Sequence, residues 1–276
     1  MGTSSSSKGP GPGAISFDPP WLDQVPVPVP PGEEPVPPSD GEKLIPPPTE
    51  NPPPRRFYGA RQNLGSYVQS GDYDKLSRAL GRYSQTGMGG ATATARRMQV
   101  STQTAASLFG FMQAVAIQST TETRTWVSSL LSRNANAQEI ADEIVSTLSA
   151  NGGSLDEASA QNSIALALED LLLETPEVDL LNLDEDAIWS LVSSFLGHEL
   201  FNRVYLDIGQ AFESADLPGQ TIEQRKNGMR EYIQTDVYAQ IEEARQSGAS
   251  PTHDDLSRMF TGVLQRTLFI YEGAVE

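Results

Sequence analysis

Cysteine is absent from the 276 residues, which excludes disulfides, thiolate nucleophiles and every cysteine-ligated zinc or iron–sulfur site. The lack fits a reducing cytoplasm. Histidine is almost as scarce, with only His198 and His253, so a zinc site would need carboxylates from distant segments, and nothing stands at metal-ligand spacing. His198 sits beside Glu199 on an apolar stretch and reads as a packing residue; His253 follows Thr252 and reads as a surface one. Long apolar runs are missing too. The longest, Leu108–Ile117, is about half a membrane span and contains Gly110 and Gln113. Lys8 leads into Gly and Pro rather than an apolar stretch, so no secretory signal is expected, and the protein is expected in the cytoplasm, away from membranes.

Proline is rare over most of the chain and crowded at one end. Of 20 prolines, 17 lie between Pro10 and Pro54, leaving Pro176, Pro218 and Pro251 for the rest. Such a step marks the border between a segment too poor in apolar residues to fold and one that can. The expected organisation is a disordered arm over residues 1–56 and an all-α domain over 57–276. Within the arm, residues 1–13 are small and polar, the composition of a flexible coil. The alternation Val25-Pro26-Val27-Pro28-Val29-Pro30-Pro31 favours polyproline II, extended by about 3.1 Å per residue. A loose tip on a semi-stiff stalk is expected. The Val-Pro repeats would suit an SH3-like reader, and stiffness alone also accounts for them. Trp21 is the arm's one large anchor and a candidate partner contact.

Basic residues are short in the middle of the chain. Residues 134–220 hold one basic and 17 acidic groups, whereas 57–133 hold eight basic and three acidic, within an overall charge of −17. An acidic middle argues against direct nucleic-acid binding, which needs clustered Lys and Arg on phosphates. The richest basic stretch holds Arg96 and Arg97, with Arg78 and Arg82 before it. This pair is a candidate contact for an anion or an acidic partner; solvation, or pairing with the acidic helices, accounts for it equally well.

From Phe57 on, the apolar spacing is helical and no segment alternates with period two. Helices are expected over Ala60–Gln69 and Tyr73–Tyr83, split at Gly71-Asp72 with Asp72 as cap. A break at Gly87–Gly90 precedes one long helix to about Gln118. Further helices are expected around Trp126–Leu131, over Ala137–Leu148, and from a capping box at Ser154–Glu157 to Pro176. Asp184–Phe212 is expected to be helical with a break near Gly197. Two more helices are expected, one opening at Thr221 and running to about Arg245 and one capped by Thr252. The total is about eight.

Catalytic motifs are not found. Asp184-Glu185-Asp186 lacks the central glycine of a calcium loop and reads as first-turn acids favoured by the helix dipole. Gly87–Gly90 lacks the Gly-Lys-Ser/Thr ending of a phosphate loop, and no Gly-x-Ser-x-Gly elbow occurs. The expectation is a protein without catalytic residues, metal or cofactor of its own.

The tip carries the sharpest signal. Removal of Met1 ahead of the small Gly2 would expose an α-amine with pKa near 8, about two units below lysine. Met1-Gly2-Thr3-Ser4-Ser5-Ser6 also fits the short myristoylation pattern, but a single acyl chain anchors marginally, and no basic cluster backs it. The sequence Met1-Gly2-Thr3-Ser4, the Ser/Gly-Pro run Ser7–Gly13 and Pro19-Pro20-Trp21 resemble the N-terminus of the QatB family of the bacterial Qat anti-phage system. Gly59-Ala60-Arg61 through Ser70-Gly71-Asp72, and on to Gly89-Gly90 and Arg96-Arg97-Met98, also look like that family, over roughly residues 1–100.

The resemblance implies a chain acting beside an ATPase, a QueC-like enzyme and a TatD-like nuclease. It also implies that Gly2 is the residue to which the QueC-like enzyme joins a 7-deazaguanine, with Thr3 and Ser4 read by that enzyme. The alternative from the residues alone is a structural adaptor whose arm is only a spacer.

Overall fold

The computed structural model describes residues 55–148, 155–245 and 252–275. Gly2, Thr3, Ser4 and Trp21, and the Ser154 end of the expected capping box, lie outside these. The described residues form eleven α-helices and one π-helical turn, with no strand among them. The all-α expectation therefore holds, with more helices than the eight expected.

Side-chain caps set several of the helix starts. Helix α1 (Tyr58–Ser70) ends at Gly71, whose φ of 74° is left-handed and whose N–H donates to the Tyr67 carbonyl. Asp72 then caps α2 (Tyr73–Arg82), its carboxylate accepting from the Asp74 N–H at 2.9 Å. A π-helical turn, Tyr83–Met88, follows, and Gly89 and Gly90 have positive φ before α3 (Ala91–Arg97) begins.

The expected long Ala/Thr-rich helix is two helices, α3 and α4 (Gln99–Ala116), parted at Met98 with φ −97° and ψ 24°. No Gly or Pro marks that break. Helix α5 (Thr121–Ser132) opens on a reciprocal Thr120/Thr123 box, and α6 (Ala137–Leu148) on an equivalent Asn136/Glu139 exchange.

Helix α7 (Leu155–Glu174) is followed by α8 (Glu185–Ile208), capped by Asp184. The break expected near Gly197 does not occur. A side chain there would begin 2.7 Å from Gln234 Cγ, so the glycine lets another helix approach closely. The chain turns instead at Gly209, into the single-turn helix α9 (Gln210–Glu213). Helix α10 (Gly219–Arg245) starts two residues ahead of the expected Thr221, because the Pro218 carbonyl already accepts the Thr221 and Ile222 N–H groups. Thr252 caps α11 (His253–Gly273) in a box with Asp255, as expected.

The core is built around α8, which carries fourteen buried residues and packs against α4, α7 and α10. Helix α11 lies on α2, α3, α4 and α10. Its contact with α2 is close: a Cβ at Gly81 would overlap the Tyr271 carbonyl oxygen. None of the helices among the described residues is long and apolar enough to cross a membrane.

Candidate functional site

Three places on this framework concentrate chemistry. The first is at the start of the described residues. Phe57 is buried and stacks on Tyr83 at 5.6 Å between ring centroids. Its ring lies 2.5 Å from where a Cβ on Gly87 would stand, so the π-helical turn needs glycine there to admit it. Arg56 and Arg61 place their guanidinium groups 4.6 and 5.9 Å from the same ring. Tyr83 donates to Asp207 Oδ2 at 2.9 Å, and Arg61 donates to the Asp207 carbonyl at 2.8 Å. Burial, reinforced by the Asp207 charge, pushes the Tyr83 hydroxyl pKa well up, so it acts as a hydrogen-bond donor. The chain entering from residue 55 is thus held at a fixed root.

The second place lies between α4, α7 and α8. Glu199 is 4% exposed, and its carboxylate accepts from three hydroxyls: Ser101 at 2.6 Å, Ser159 at 2.9 Å and Ser163 at 2.7 Å. Ser163 in turn accepts from Asn202 at 3.1 Å. A carboxylate buried without a bonded cation is expensive unless its lone pairs are filled, and here the serines fill them. Arg203, one turn further along α8, pairs with Asp156 at 3.2 Å. A cavity of about 130 Å³ beside Glu199 is lined by Arg97, Ser101, Asp156, Ser159 and Arg203 among others.

Of the expected basic pair, Arg97 therefore reaches this cavity and also donates to the Met88 sulfur at 3.6 Å. Arg96 is exposed on the last turn of α3. Neither forms an ion pair among the described residues.

The third place is on the neighbouring face of α8, against α7 and α10. His198 is 2% exposed, and its Nε2 lies 2.8 Å from Asp170 Oδ2 and 3.2 Å from the Gln234 amide nitrogen. Ser194 donates to the same Asp170 oxygen at 2.7 Å. Burial pushes the Asp170 carboxyl up, but the hydrogen bonds it accepts from His198, Ser194 and Gln234 outweigh it and leave its pKa below the ordinary value.

These are the residue types of a serine hydrolase, wired differently. Serine and histidine both converge on one carboxylate oxygen, and His198 Nδ1 has no hydrogen-bond partner among the described residues. A nucleophilic relay needs the serine on one ring nitrogen and the acid on the other. The arrangement makes Asp170 a shared acceptor, and it borders a groove of about 340 Å³ that also takes in Glu174, Ser190, Leu191 and Tyr238.

His253 is half exposed at the start of α11, 3.2 Å from the Ser107 hydroxyl. The acids at 184–186 do what helix starts ask of them: Asp184 caps, Glu185 accepts from Trp189, and Asp186 pairs with Arg245. No group of His, Asp and Glu among the described residues is placed to hold a metal ion.

The serine-filled Glu199 and the Asp170–His198 cluster were not singled out as sites in the sequence. Their members are spread over α4, α7, α8 and α10, and only packing brings them together. The signal available was a Glu within the apolar stretch Phe195–Phe201.

Comparison with curated proteins and with solved structures finds no match. A protein-family model does match: residues 89–271, from the glycine pair ahead of α3 to near the end of α11, fit the Qat anti-phage system associated protein QatB. The matched span contains Glu199, Asp170 and His198 with all their partners, and by it the chain belongs to the QatB family of anti-phage defence proteins.

Proposed function

We propose that this chain is the non-enzymatic member of its defence system that presents Gly2 to a QueC-like partner enzyme. In this reading the α-amine exposed by loss of Met1 is the acceptor. It attacks the carboxyl carbon of a 7-deazaguanine that the partner enzyme has activated as an acyl phosphate-type ester at the expense of a nucleoside triphosphate. The C–O bond to the activating group breaks, that group leaves, and the nitrogen gives up a proton as the amide forms. Thr3 and Ser4 are read by the modifying enzyme, and Trp21 is an anchor along the arm. The helical body docks other members of the system, among them its ATPase and TatD-like nuclease. The α-amine suits the role because its pKa, near 8, leaves a useful neutral fraction at pH 7.

The observation that carries the reading is a joint one. The Met1-Gly2-Thr3-Ser4 tip and its proline-rich continuation run into a body whose first residues are locked, Phe57 between Tyr83 and Gly87. A tip meant for another enzyme's active site needs reach at one end and a fixed root at the other.

Intact-mass measurement after co-expression with the rest of the system tests it. The expected result is loss of methionine and a gain equal to one deazaguanine acyl group, abolished together with phage defence by Gly2→Pro. A mass unchanged beyond methionine loss, with defence surviving Gly2→Pro, overturns it. If the arm were only a spacer, deleting residues 2–13 would leave defence intact.

A further inference from the structure

We propose that the groove between α7, α8 and α10 receives an arginine side chain of a partner protein. The inference deepens the docking half of the function proposed above and does not depend on Gly2. The floor of the groove is apolar, formed by Ala167, Leu171 and Leu191. Asp170 and Glu174 stand one turn apart on its α7 wall, and Thr235 and Tyr238 line its α10 wall.

Among the described residues, one oxygen of Asp170 takes all its hydrogen bonds. Ser194 and His198 both bond Oδ2, while Oδ1 makes no hydrogen bond among the described residues, and the side chain is 39% exposed. Glu174 is exposed and forms no ion pair there either.

Among the described residues no Lys or Arg lines the groove. The cation at that end of α10, Arg245, is already held by Asp186 and Glu242. The charged residues that line it, Asp170 and Glu174, are both acids, so the local field favours an incoming cation.

A guanidinium fits these walls better than an ammonium. Its planar fork can pair with the Glu174 carboxylate edge or give one N–H to Asp170 Oδ1 and stack on the Tyr238 ring, and its methylene stem suits the leucine floor. A volume of about 340 Å³ is at the lower end for a small-ligand pocket, roughly 300–1,000 Å³. At the rim Tyr238 is 48% exposed, an aromatic surface for the residues flanking the arginine.

The test uses the full-length protein and the peptide acetyl-Gly-Arg-Gly-amide, followed by isotope-edited NMR. Controls replace Arg by citrulline, which keeps the shape without the charge, and by Lys. The expected result is saturable shifts at residues bordering the groove, at least about ten-fold weaker with citrulline and several-fold weaker with Lys. Glu174→Gln and Tyr238→Ala, both on exposed side chains, should each weaken binding several-fold without altering the rest of the spectrum. Absence of shifts at millimolar peptide, equal binding of the citrulline peptide, or equal binding of the Lys peptide would each overturn the proposal. Since the peptide titration does not involve Gly2, its failure would leave the intact-mass result standing.

Discussion

Removing the Glu199 carboxylate should expose how α4, α7 and α8 are held together. Glu199 is the common acceptor for Ser101 on α4 and for Ser159 and Ser163 on α7. In Glu199→Ala the three hydroxyls lose that acceptor, and Ser101 and Ser163 are buried at 6% and 0% exposure. An unsatisfied buried hydroxyl costs about 1–3 kcal/mol. Two such groups, with the small cavity left behind, come to about 3–6 kcal/mol. Against this stands the relief of no longer burying a charge, so a net loss of about 2–4 kcal/mol is expected. With a urea slope of about 2 kcal/mol per molar, the unfolding midpoint should fall by about 1–2 M.

Glu199→Gln is the informative partner. Its amide oxygen can still accept from Ser159 and Ser163, and its NH₂ can donate to a Ser101 hydroxyl that has turned round. Only charge assistance is lost, so about 1 kcal/mol is expected. The assay is urea unfolding of the intact chain followed by far-UV circular dichroism. A Glu199→Ala midpoint within experimental error of the parent would refute the reasoning. So would Glu199→Gln proving as damaging as alanine, because charge, not acceptor number, would then be the holding force.

Two further outcomes follow from the packing around α11. Gly81→Ala forces a Cβ into the Tyr271 carbonyl where α2 meets α11; backbone must move, and a loss of about 1–3 kcal/mol is expected by the same urea assay, with Gly65→Ala, which meets open space, as the benign control. Burial raises the Asp236 carboxyl above its ordinary pKa, partly offset by the Tyr271 hydroxyl. A folded pKa above the unfolded one means the folded state binds the extra proton, so this group's contribution to stability is lost as pH rises through the folded value. Asp236→Asn should therefore be more stable than the parent at neutral pH, with the difference vanishing below the ordinary carboxylate range; equal stability at neutral pH would contradict this.

What could be read from the sequence was what local chemistry decides. The Gly71-Asp72 split, the Thr252 cap and the start of α6 appear where their residues put them, and the acids at 184–186 mark a helix start, with Asp184 one residue outside it as the cap. Features set by distant partners did not show. The α3/α4 break falls at Met98, which carries no stop signal. Gly197 looked like a break but serves the approach of α10. The π-helical turn exists around a phenylalanine some thirty residues earlier in the chain. The Thr120 box uses threonine where the usual pattern has Glu or Gln, and so escaped notice. The candidate sites follow the same rule: Asp170 and His198 are 28 residues apart and Ser101 and Glu199 are 98 apart, and no spacing rule joins them.

The position of α11 has a consequence in time. The helix rests on α2, α3 and α4 as well as α10, so the first helices of the body wait for the last before their faces are covered. During synthesis about 200 residues separate the root near Phe57 from His253, an interval of about 10–40 s at 5–20 residues per second. Through that interval residues 1–54 are already made while the body is still open. Any enzyme that acts on the tip has its first opportunity on the ribosome, before the faces that α11 covers are in place.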